Sequence, residues 1–580
     1  MALVLARRVP KSNRLKQPRR KGTDVPAPVF ASDLPILALA RARWRELRDT
    51  WSPRRKLLAK LRASWGRRSD KPGYLANRYF TLVRNESPAR WVDDKTWDDL
   101  EFPELFARMD TTVTPVGGQV LYAQLRQYVD DRSVLAQRFA GYLELAGNQP
   151  LREALQLRLA KLGDEANADL ADLLFAQRIE KPARRVLIWA WALVSLALLV
   201  LAVFFQVALW FWFGVLLVNA AVIMRQGWRQ GRETEAMQHC AKLLDVADRL
   251  AAMRGHAQLP AVQRLHDEAP QRAVIRKALF WFACMNILKA LPPPFSVLPA
   301  FLNFAFLTNL AVHAGTVERF HRLRGRLHAT FALVGEIDAT VAVASFLQQY
   351  PQHCAPAFTQ NRELSMTEGC HPLLPDGVTN STRLERQSLL VTGSNMAGKT
   401  TFIKMLACNA ILGQTLGFCL AASATLPRAA VLASIHGAHS VESGKSHYFA
   451  EIEAIDGFIR HATPERTRII ALDEPFSGTN TVERIAVARA ILEALGQNAI
   501  VLATTHDVEL QAMLGDAYVL CHFQENPDVE GYFDYTLKPG PATERNAIRL
   551  LQRMGFPEAI TANAMAYAAR DMQADLRETC

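Results

Sequence analysis

The chain contains one long stretch of hydrophobic residues with no charged side chain. Residues 186–224 hold no Asp, Glu, Lys, Arg or His. A single helix of that length would be about 58 Å long, whereas the hydrocarbon core of a bilayer is roughly 30 Å thick. Basic residues flank the stretch on both sides, at 181, 184, 185 and 225. The pattern therefore predicts a transmembrane helical hairpin that turns near Gln206 and has both ends in the cytoplasm.

A second apolar stretch covers residues 278–313 and also has basic flanks. It is interrupted by Lys289 and by three consecutive prolines at positions 292–294. One interpretation is a second, shorter transmembrane hairpin. The alternative is a helical pair buried against the first hairpin, because such interruptions are tolerated at membrane depth where protein surrounds them. Between the two stretches, residues 225–277 have the pattern of polar amphipathic helices.

Helical periodicity also covers the segments on either side of the apolar stretches. Leucines recur at three- and four-residue spacing within residues 76–180, and residues 316–355 repeat a helical pattern. From residue 356 to 540, short β-rich runs alternate with helical runs, and strands are expected at Ser388–Thr392, Arg468–Asp473 and Ala499–Thr504. This alternation predicts an α/β nucleotide-binding domain.

Positive charge is concentrated at the N-terminus. The 580-residue chain has a formal net charge of +12, and residues 1–70 alone hold 19 Lys or Arg against 5 Asp or Glu. The basic arm, residues 1–75, is therefore expected to attract polyanions, either nucleic acid phosphates or anionic lipid head groups. No apolar run follows its first basic residues, so we expect no cleaved secretory signal.

The eight cysteines do not form a recognisable ligand or disulfide pattern. They are scattered along the chain, and no two of them have CxxC spacing. Scattered cysteines in a chain of this length are typical of reduced thiols in a cytosol-facing protein, and a metal site built from them is not expected.

Residues 393–400 carry a phosphate-binding pattern. Their sequence, GSNMAGKT, matches G-x-x-x-x-G-K-[ST], follows an apolar strand and opens a helix, which is the context the motif requires. Gly393 and Gly398 allow the backbone N–H groups to face phosphates. Lys399 neutralises phosphate oxygens, and the hydroxyl of Thr400 binds Mg²⁺. The sequence therefore predicts a site for ATP with Mg²⁺.

Two further strands end in residues suited to hydrolysis. The run RIIALDE places Asp473 and Glu474 at the end of an apolar strand about 75 residues after the phosphate loop. Asp473 would hold the metal, and Glu474 would position or deprotonate the attacking water. A third apolar strand is followed by His506, whose imidazole could sense the γ-phosphate. The three elements occur in the order that a hydrolytic site needs.

These residues together resemble the MutS family. The pair Asn395-Met396 inside the phosphate loop is distinctive of that family, and Gln414 follows on the next helix, as it does there. The weaker part of the resemblance lies upstream, where Asp110–Gly117 is similar to the start of the family's core domain and Glu336–Asp338 to the end of its lever helices. Other matching segments are Ser443–Glu451 (the signature segment), Asp473–Asn480, His371-Pro372 and Ala547–Ile560.

The resemblance implies a MutS-type, ABC-related P-loop ATPase domain at residues 356–540, a C-terminal helix-turn-helix at 541–580 and lever-like helices at 316–355. It also implies a homodimer that closes two composite sites around ATP, with Ser443 and Ser446 acting in the partner subunit's site. Glu474 and His506 take the catalytic roles, and Thr400 and Asp473 hold the metal. The expected nucleotide contacts are Gly393, Ser394, Asn395, Met396, Ala397, Gly398, Lys399, Thr400, Thr401, Gln414, Ser443 and Ser446.

The chain also departs from the family's pattern. Mismatch-recognising members carry an N-terminal domain with a Phe-x-Glu wedge. That tripeptide occurs here at Phe102, Phe523 and Phe556, none of them in a suitable domain. We therefore expect no mismatch-recognition domain ahead of the core. The family's lever helices run out to a DNA-contacting clamp, and the apolar hairpins occupy that stretch here.

Three functions fit these observations. The first is a dimeric MutS-like ATPase switch that binds double-stranded DNA with a mismatch, damage or a branch. This protein would be a multi-pass protein of the inner (cytoplasmic) membrane, with its ATPase domain in the cytoplasm. The second is a membrane-tethered regulatory ATPase that contacts lipids but no nucleic acid. The third is an ABC-type transporter-related ATPase. The third lacks support, because no Leu-Ser-Gly-Gly-Gln signature is present.

Overall fold

The computed structural model describes most of the chain from residue 53 onwards. The described residues are 53–69, 76–84, 90–163, 168–176, 185–253, 259–290, 297–394, 397–435, 447–460, 467–476, 480–524, 533–541, 552 and 555–567. Residues 58–580 form one compact unit, and residues 1–57 form another, of which 53–57 are described. Most of the predicted basic arm therefore lies outside the described residues.

A helical region comes before the sheet domain. An unlabelled helix at residues 53–64 precedes it. The labelled helices are α1 (Asn77–Val83), α2 (Asp94–Asp99), α3 (Phe102–Met109), α4 (Pro115–Arg126), α5 (Arg132–Gly147), α6 (Gln149–Leu159), α7 (Ala168–Phe175), α8 (Arg185–Phe204), α9 (Gln206–Ala251), α10 (Pro260–Asp267), α11 (Ala269–Ala290), α12 (Val297–Phe306), α13 (Thr308–Leu323) and α14 (Gly325–Leu347). A single 3₁₀ turn, Ala160–Leu162, follows α6.

The two upstream fragments that resemble the MutS core meet in space. Asp338, fully buried in α14, accepts hydrogen bonds from the backbone N–H groups of Val113 (2.9 Å) and Thr114 (2.8 Å) and from the Thr114 hydroxyl (2.7 Å). A Cβ atom added at Gly117 would lie 2.3 Å from the Asp338 carboxylate, so the approach of α4 to α14 requires glycine there. One carboxylate therefore joins the start of α4 to the long helix α14 across more than 220 residues of sequence.

Helices α8 and α9 form the apolar hairpin that the sequence predicts, with the turn at Phe205 and Gln206. Many large apolar side chains on both helices face outwards; Val186 is 79% exposed and Trp210 is 78% exposed. By length and composition, three helical segments of the described residues could cross a membrane: Val186–Phe204, Gln206–Arg225 and Gly325–Leu347, or four segments if α12 and α13 count as one bent span. The segment Gly325–Leu347 is 83% buried inside the protein, so α14 is a core helix.

Helix α9 does not end where its apolar part ends. The helix has 46 residues in all and runs without a break from Gln206 to Ala251, so the expected boundary between a hairpin and a separate polar segment at residue 225 is not a break in structure. Its C-terminal part packs against α10, α11 and α14. The charged residues from 225 onwards show where the helix leaves its apolar stretch, but they do not indicate where the helix ends.

The second apolar stretch is not a simple hairpin in the structure. Helices α12 and α13 are bent by 80° at Leu307, which has a left-handed backbone (φ 52°). The Ser195 hydroxyl (2.8 Å) and the Asn219 amide (2.9 Å) both donate to the Ala305 carbonyl, which the break leaves without a helical partner. Trp191 in turn donates to Asn219 at 2.8 Å. The bent pair is thus docked on the first hairpin by polar contacts; prolines 292–294 lie outside the described residues.

The C-terminal half contains two sheets. Its elements are β1 (Ala357–Thr359), β2 (Glu363–Gly369), β3 (Asn380–Glu385), β4 (Ser388–Thr392), α15 (Lys399–Thr415), β5 (Ser423–Pro427), β6 (Ala429–Ser434), α16 (His447–Arg460), β7 (Thr467–Asp473), α17 (Thr481–Asn498), β8 (Ala499–Thr504), α18 (Val508–Leu514), β9 (Tyr518–His522) and β10 (Lys538–Pro539). The larger sheet has the order β10-β9-β4-β8-β7-β6, and the smaller has the order β1-β5-β2-β3. Residues 558–567 form a further helix, and the rest of the predicted C-terminal helix-turn-helix lies outside the described residues.

The larger sheet positions the site. Strands β9, β4, β8, β7 and β6 run parallel, and only β10 is antiparallel. Every residue of β4 and β8 is buried, as expected when helices cover both faces of a parallel sheet. The three predicted strands match the structure, except that β7 begins one residue earlier, at Thr467.

Candidate nucleotide-binding and hydrolysis site

Three adjacent strands end at the same edge of the larger sheet. Strands β4, β8 and β7 are parallel neighbours, so the segments that follow them converge at their carboxyl ends. These segments carry the phosphate loop, His506 and the Asp473-Glu474 pair, respectively. A ligand crevice outside the carboxyl ends of the strands is the usual site in open α/β sheets.

The described part of the phosphate loop has backbone conformations that favour glycine. Gly393 has φ 134°, and a Cβ atom there would lie 2.3 Å from the Phe523 carbonyl oxygen. Gly398 has φ 99° and forms the N-cap of α15. The N-terminal end of α15, with its free N–H groups and the positive end of the helix dipole, therefore points at this loop and suits an anion.

Lys399 is held at the centre of the site. Its Nζ donates to the Gly393 carbonyl at 2.6 Å and to the Ser394 carbonyl at 3.3 Å, and it lies 3.6 Å from a Glu474 oxygen. Its side chain is only 2% exposed. Burial lowers the pKa of Lys399, and the nearby Glu474 and Asp473 carboxylates oppose that shift. A nearly buried cation beside a helix N-terminus fits the phosphate groups of a nucleotide.

Thr400 and Asp473 form a second pair. The Thr400 hydroxyl lies 3.0 and 2.9 Å from the two Asp473 oxygens, and the buried Thr504 hydroxyl donates to one of them at 2.5 Å. A hydroxyl and a carboxylate that already face each other are the hard oxygen donors that Mg²⁺ prefers. Thr504 was not singled out in the sequence, because a threonine inside an apolar strand carries no signal of its own.

Glu474 and His506 are in direct contact. Oε1 of Glu474 lies 2.5 Å from Nε2 of His506, and Nζ of Lys399 lies 3.0 Å from the same ring nitrogen. The hydrogen bond from His506 is the largest influence on the Glu474 carboxyl, and it lowers the pKa of that group against the opposing effect of burial. Glu474 is therefore ionised at neutral pH and can accept a proton.

His506 is placed by its neighbours in the chain. The backbone N–H of Thr505 donates to the Val391 carbonyl of β4 at 3.1 Å. On the other side, Asp507 forms a bidentate ion pair with Arg484 of α17, at 2.7 and 3.0 Å. The turn that carries the imidazole is thus fixed to the phosphate-loop strand and to α17. The contact of Arg484 with Asp507 is not evident from the sequence, because 23 residues separate the two.

The turn after β7 has an unusual backbone. Glu474 (φ 48°) and Phe476 (φ 66°) are both left-handed, a conformation that costs on the order of 1–3 kcal/mol for such residues. The Glu474 N–H donates to the carbonyl (3.2 Å) and to the hydroxyl (3.1 Å) of Thr504. The Phe476 N–H donates to a carboxylate oxygen of Glu451 at 3.0 Å. These bonds offset the strain and set the direction of the Glu474 side chain.

Gln414 is not brought to this cluster, which corrects the expectation drawn from the family resemblance. It lies 15 residues along α15 from Lys399, or about 22 Å. Its buried amide donates to the Ala410 carbonyl at 3.0 Å and accepts from the Ala429 N–H at 2.9 Å. Both groups of the amide are satisfied by backbone, so Gln414 joins α15 to β6 and makes no nucleotide contact.

The remaining predicted contacts divide into two groups. Ala397 is buried, and its N–H donates to the Ser394 carbonyl at 3.2 Å, while Thr401 lies exposed in the first turn of α15. These three residues belong to the loop and helix start around Lys399. Asn395, Met396, Ser443 and Ser446 lie outside the described residues.

The parallel sheet with helices between its strands defines an α/β domain, and the acidic and imidazole groups converge beside the glycine-containing loop at the carboxyl ends of its strands. The family profile described as MutS domain V matches residues 389–572. The chain is 29% identical to the DNA mismatch repair protein MutS of Thermus aquaticus over 255 residues, which cover 43% of this chain and 31% of that protein. It is also 29% identical to the MutS of Geobacillus thermodenitrificans over 270 residues, 44% of this chain and 29% of that protein.

The C-terminal half of the chain is thus similar to MutS proteins, and the matching part includes the phosphate loop, the Asp473-Glu474 pair and His506. The chain spans about a third of the length of the curated relatives that it matches.

Proposed function

We propose that this protein is a membrane-anchored ATPase switch that hydrolyses ATP as a homodimer and couples hydrolysis to binding of double-stranded DNA. The observation that carries the ATPase part is the convergence of Lys399, Thr400, Asp473, Glu474 and His506 at one sheet edge. Lys399, Glu474 and His506 contact one another at 3.6 Å or less, and the Thr400 hydroxyl lies 3.0 Å from Asp473. The Thr504 hydroxyl joins the two groups through its bonds to Asp473 and to the Glu474 N–H. A set with these chemical types fits nucleoside triphosphate hydrolysis better than any other chemistry in the described residues.

The residues divide the work of hydrolysis. The start of α15 and Lys399 bind the phosphates, and Thr400 and Asp473 would hold Mg²⁺, which when bound neutralises charge on the phosphate oxygens. Glu474 accepts a proton from water as the water oxygen attacks the γ-phosphorus and the bond to the β-phosphate oxygen breaks. His506, held beside Glu474 and Lys399, donates a hydrogen bond and keeps the carboxylate directed into the site.

The partner proposals rest on the relatives. Those proteins are named for DNA mismatch repair, so duplex DNA with a mismatch, lesion or branch is the ligand class to test first. In a homodimer, Ser443 and Ser446 of one subunit would complete the site of the other, in agreement with the family resemblance. The basic N-terminal arm would add electrostatic affinity for DNA phosphates.

The membrane proposal rests on the outward-facing apolar side chains of α8 and of the first part of α9. Leu217, for example, is 74% exposed, and large exposed apolar surfaces of this kind are costly in water. Lipid contact along Val186–Phe204 and Gln206–Arg225 would place the ATPase domain in the cytoplasm. Protease protection or cysteine labelling that finds residues 190–220 fully accessible from the cytoplasm would contradict this placement.

Two substitutions test the ATPase directly, with phosphate release and nucleotide binding measured on the protein in detergent. Lys399→Ala removes the buried cation and is expected to abolish ATP binding. Glu474→Gln keeps the shape but cannot accept a proton, so it is expected to bind ATP normally and to lose hydrolysis. Normal turnover by Glu474→Gln would refute the role assigned to that carboxylate.

DNA binding separates the main proposal from a membrane-tethered regulatory ATPase. The purified protein is compared on homoduplex, mismatched and branched DNA, with and without ATP, at a stated salt concentration. A preference for one DNA structure that depends on ATP supports the switch. Weak binding that falls steeply with salt and ignores ATP supports the regulatory ATPase instead, with the basic arm as a lipid contact.

A further inference from the structure

A buried carboxylate lies next to the catalytic turn without belonging to the nucleotide cluster. Glu451 is on α16 and is the last residue of the signature segment, and it is 4% exposed. It shares the buried side of α16 with Ile455 and Phe458, whereas Glu453 on the same helix is exposed. A carboxylate in an otherwise apolar helix face is costly to bury unless it accepts hydrogen bonds.

The partner of Glu451 belongs to the turn that carries the proposed base. Oε1 of Glu451 accepts a hydrogen bond from the backbone N–H of Phe476 at 3.0 Å. Phe476 is two residues after Glu474, its ring is fully buried, and its backbone is left-handed. The bond therefore stabilises the turn in the conformation that points Glu474 at His506.

Strand β6, which comes before the signature segment in the chain, is bonded to the helical region. Strand β6 ends at Ser434, and the N–H of the next residue, Ile435, donates to the Asp99 carboxylate of α2 at 2.9 Å. The N–H of Ala433 donates to the Thr96 hydroxyl of the same helix at 3.0 Å.

We propose that Glu451 is a positioning residue for Glu474, and that its bond to Phe476 links the signature segment to the catalytic turn of the same subunit. This inference rests on the proposed ATPase function and deepens it. A shift at the start of α16 would change, through Glu451, the alignment of Glu474. The route is a short one: one helix turn, one hydrogen bond and two residues of backbone.

The protonation of Glu451 should affect this link. Burial raises the pKa of Glu451 to about 7, and the Phe476 N–H and Lys95 oppose that shift. Lys95 of α2, which pairs with Asp99 at 2.5 Å, acts on Glu451 through its charge, and Arg468 of β7 bonds to the Phe458 carbonyl of α16. The ionised carboxylate is the stronger acceptor for the Phe476 N–H, so the turn is held more firmly above pH 7.

The test compares Glu451→Ala, Glu451→Gln and the matched control Glu453→Gln, which changes an exposed carboxylate on the same helix. Steady-state ATP hydrolysis is measured from pH 6 to 8.5. Glu451→Ala is expected to lower kcat about tenfold and to leave KM for ATP within about twofold, because the phosphate-binding groups lie on α15. Glu451→Gln keeps an acceptor oxygen, so it should restore most of kcat at pH 6.5 and lose the rise of kcat near pH 7. The control should match the wild type.

The outcomes separate this inference from the ATPase proposal. Wild-type kcat and pH profile in Glu451→Ala, with Lys399→Ala and Glu474→Gln inactive, overturn the positioning role alone. If Glu451→Ala and Glu451→Gln lose kcat equally, and both also have a lower melting temperature, the positioning role is overturned as well. In that case Glu451 only stabilises the fold. A wild-type protein without ATPase activity overturns both proposals.

Discussion

Thr504 offers the sharpest test of the geometry at the sheet edge. Its hydroxyl is fully buried, donates to the Asp473 carboxylate at 2.5 Å and accepts from the Glu474 N–H at 3.1 Å. Valine has nearly the same shape but no hydroxyl. Thr504→Val therefore removes both contacts and leaves the strand backbone, including the bond from the Glu474 N–H to the Thr504 carbonyl, in place.

The expected magnitude follows from the charge on Asp473. A hydrogen bond to a charged group contributes about 1.5–3 kcal/mol, and the loss leaves part of a buried carboxylate without its donor. If the full free energy of this bond stabilises the transition state, its loss slows hydrolysis by roughly tenfold to a hundredfold, because about 1.4 kcal/mol corresponds to a factor of ten in rate. Because Asp473 is assigned to the metal, the Mg²⁺ concentration for half-maximal activity should change as well.

The assay is ATP hydrolysis as a function of Mg²⁺, together with thermal unfolding in detergent. Thr415→Val is a matched control, because Thr415 is equally buried but its hydroxyl bonds only to the Ile411 carbonyl at the far end of α15. The control should lose about 1 kcal/mol of stability or less and keep its kcat and Mg²⁺ dependence. Wild-type kcat and Mg²⁺ dependence in Thr504→Val would refute a role of the Thr504 hydroxyl in holding Asp473 and the Glu474 turn.

Three further predictions concern the rest of the molecule. Gly117→Ala introduces a Cβ atom 2.3 Å from a buried carboxylate oxygen and should destabilise the protein by about 1–3 kcal/mol in thermal unfolding, whereas Gly147→Ala, with no atom within 4 Å, should not. Burial lowers the pKa of His371 to about 4. The stability of the folded protein should therefore be highest above pH 6.5, the ordinary histidine pKa, and should fall as the pH is lowered from 6.5 towards 4. A His371 ring signal that titrates near 6.5 in NMR would contradict this. Asn219→Leu removes two hydrogen bonds to carbonyls of α12 and should lower stability in detergent by about 1 kcal/mol; an unchanged melting temperature would show that these bonds do not hold the bent helix pair.

Sequence patterns predict well those elements whose position depends on neighbouring residues in the chain. Strands β4, β7 and β8 were placed to within one residue because each is an uninterrupted apolar run that ends in a chemically distinctive group. The turn between α8 and α9 was placed near Gln206 because the length of an uncharged run is limited by the thickness of a bilayer.

The features that were missed depend on contacts between distant residues. Glu451 and Thr504 have no distinctive sequence context, and their roles follow from what β7 and β8 place beside them. The family resemblance places Gln414 at the nucleotide, whereas the packing of α15 against β6 directs its amide to the Ala429 N–H, far along the helix from Lys399. The length of α9 was missed because charge marks where a helix leaves an apolar environment, while its end is set by packing at Ala251.

The continuity of α9 has a mechanical consequence. Its 46 residues correspond to a rod about 69 Å long. A tilt of about 10° around one end moves the other end by roughly 12 Å at that length. Small angular changes where α9 packs against α10 and α14 are therefore amplified into large displacements at the apolar end of the helix. The same length works in reverse, so a displacement of the apolar end by several ångströms would reach the packed end as a rotation of only a few degrees.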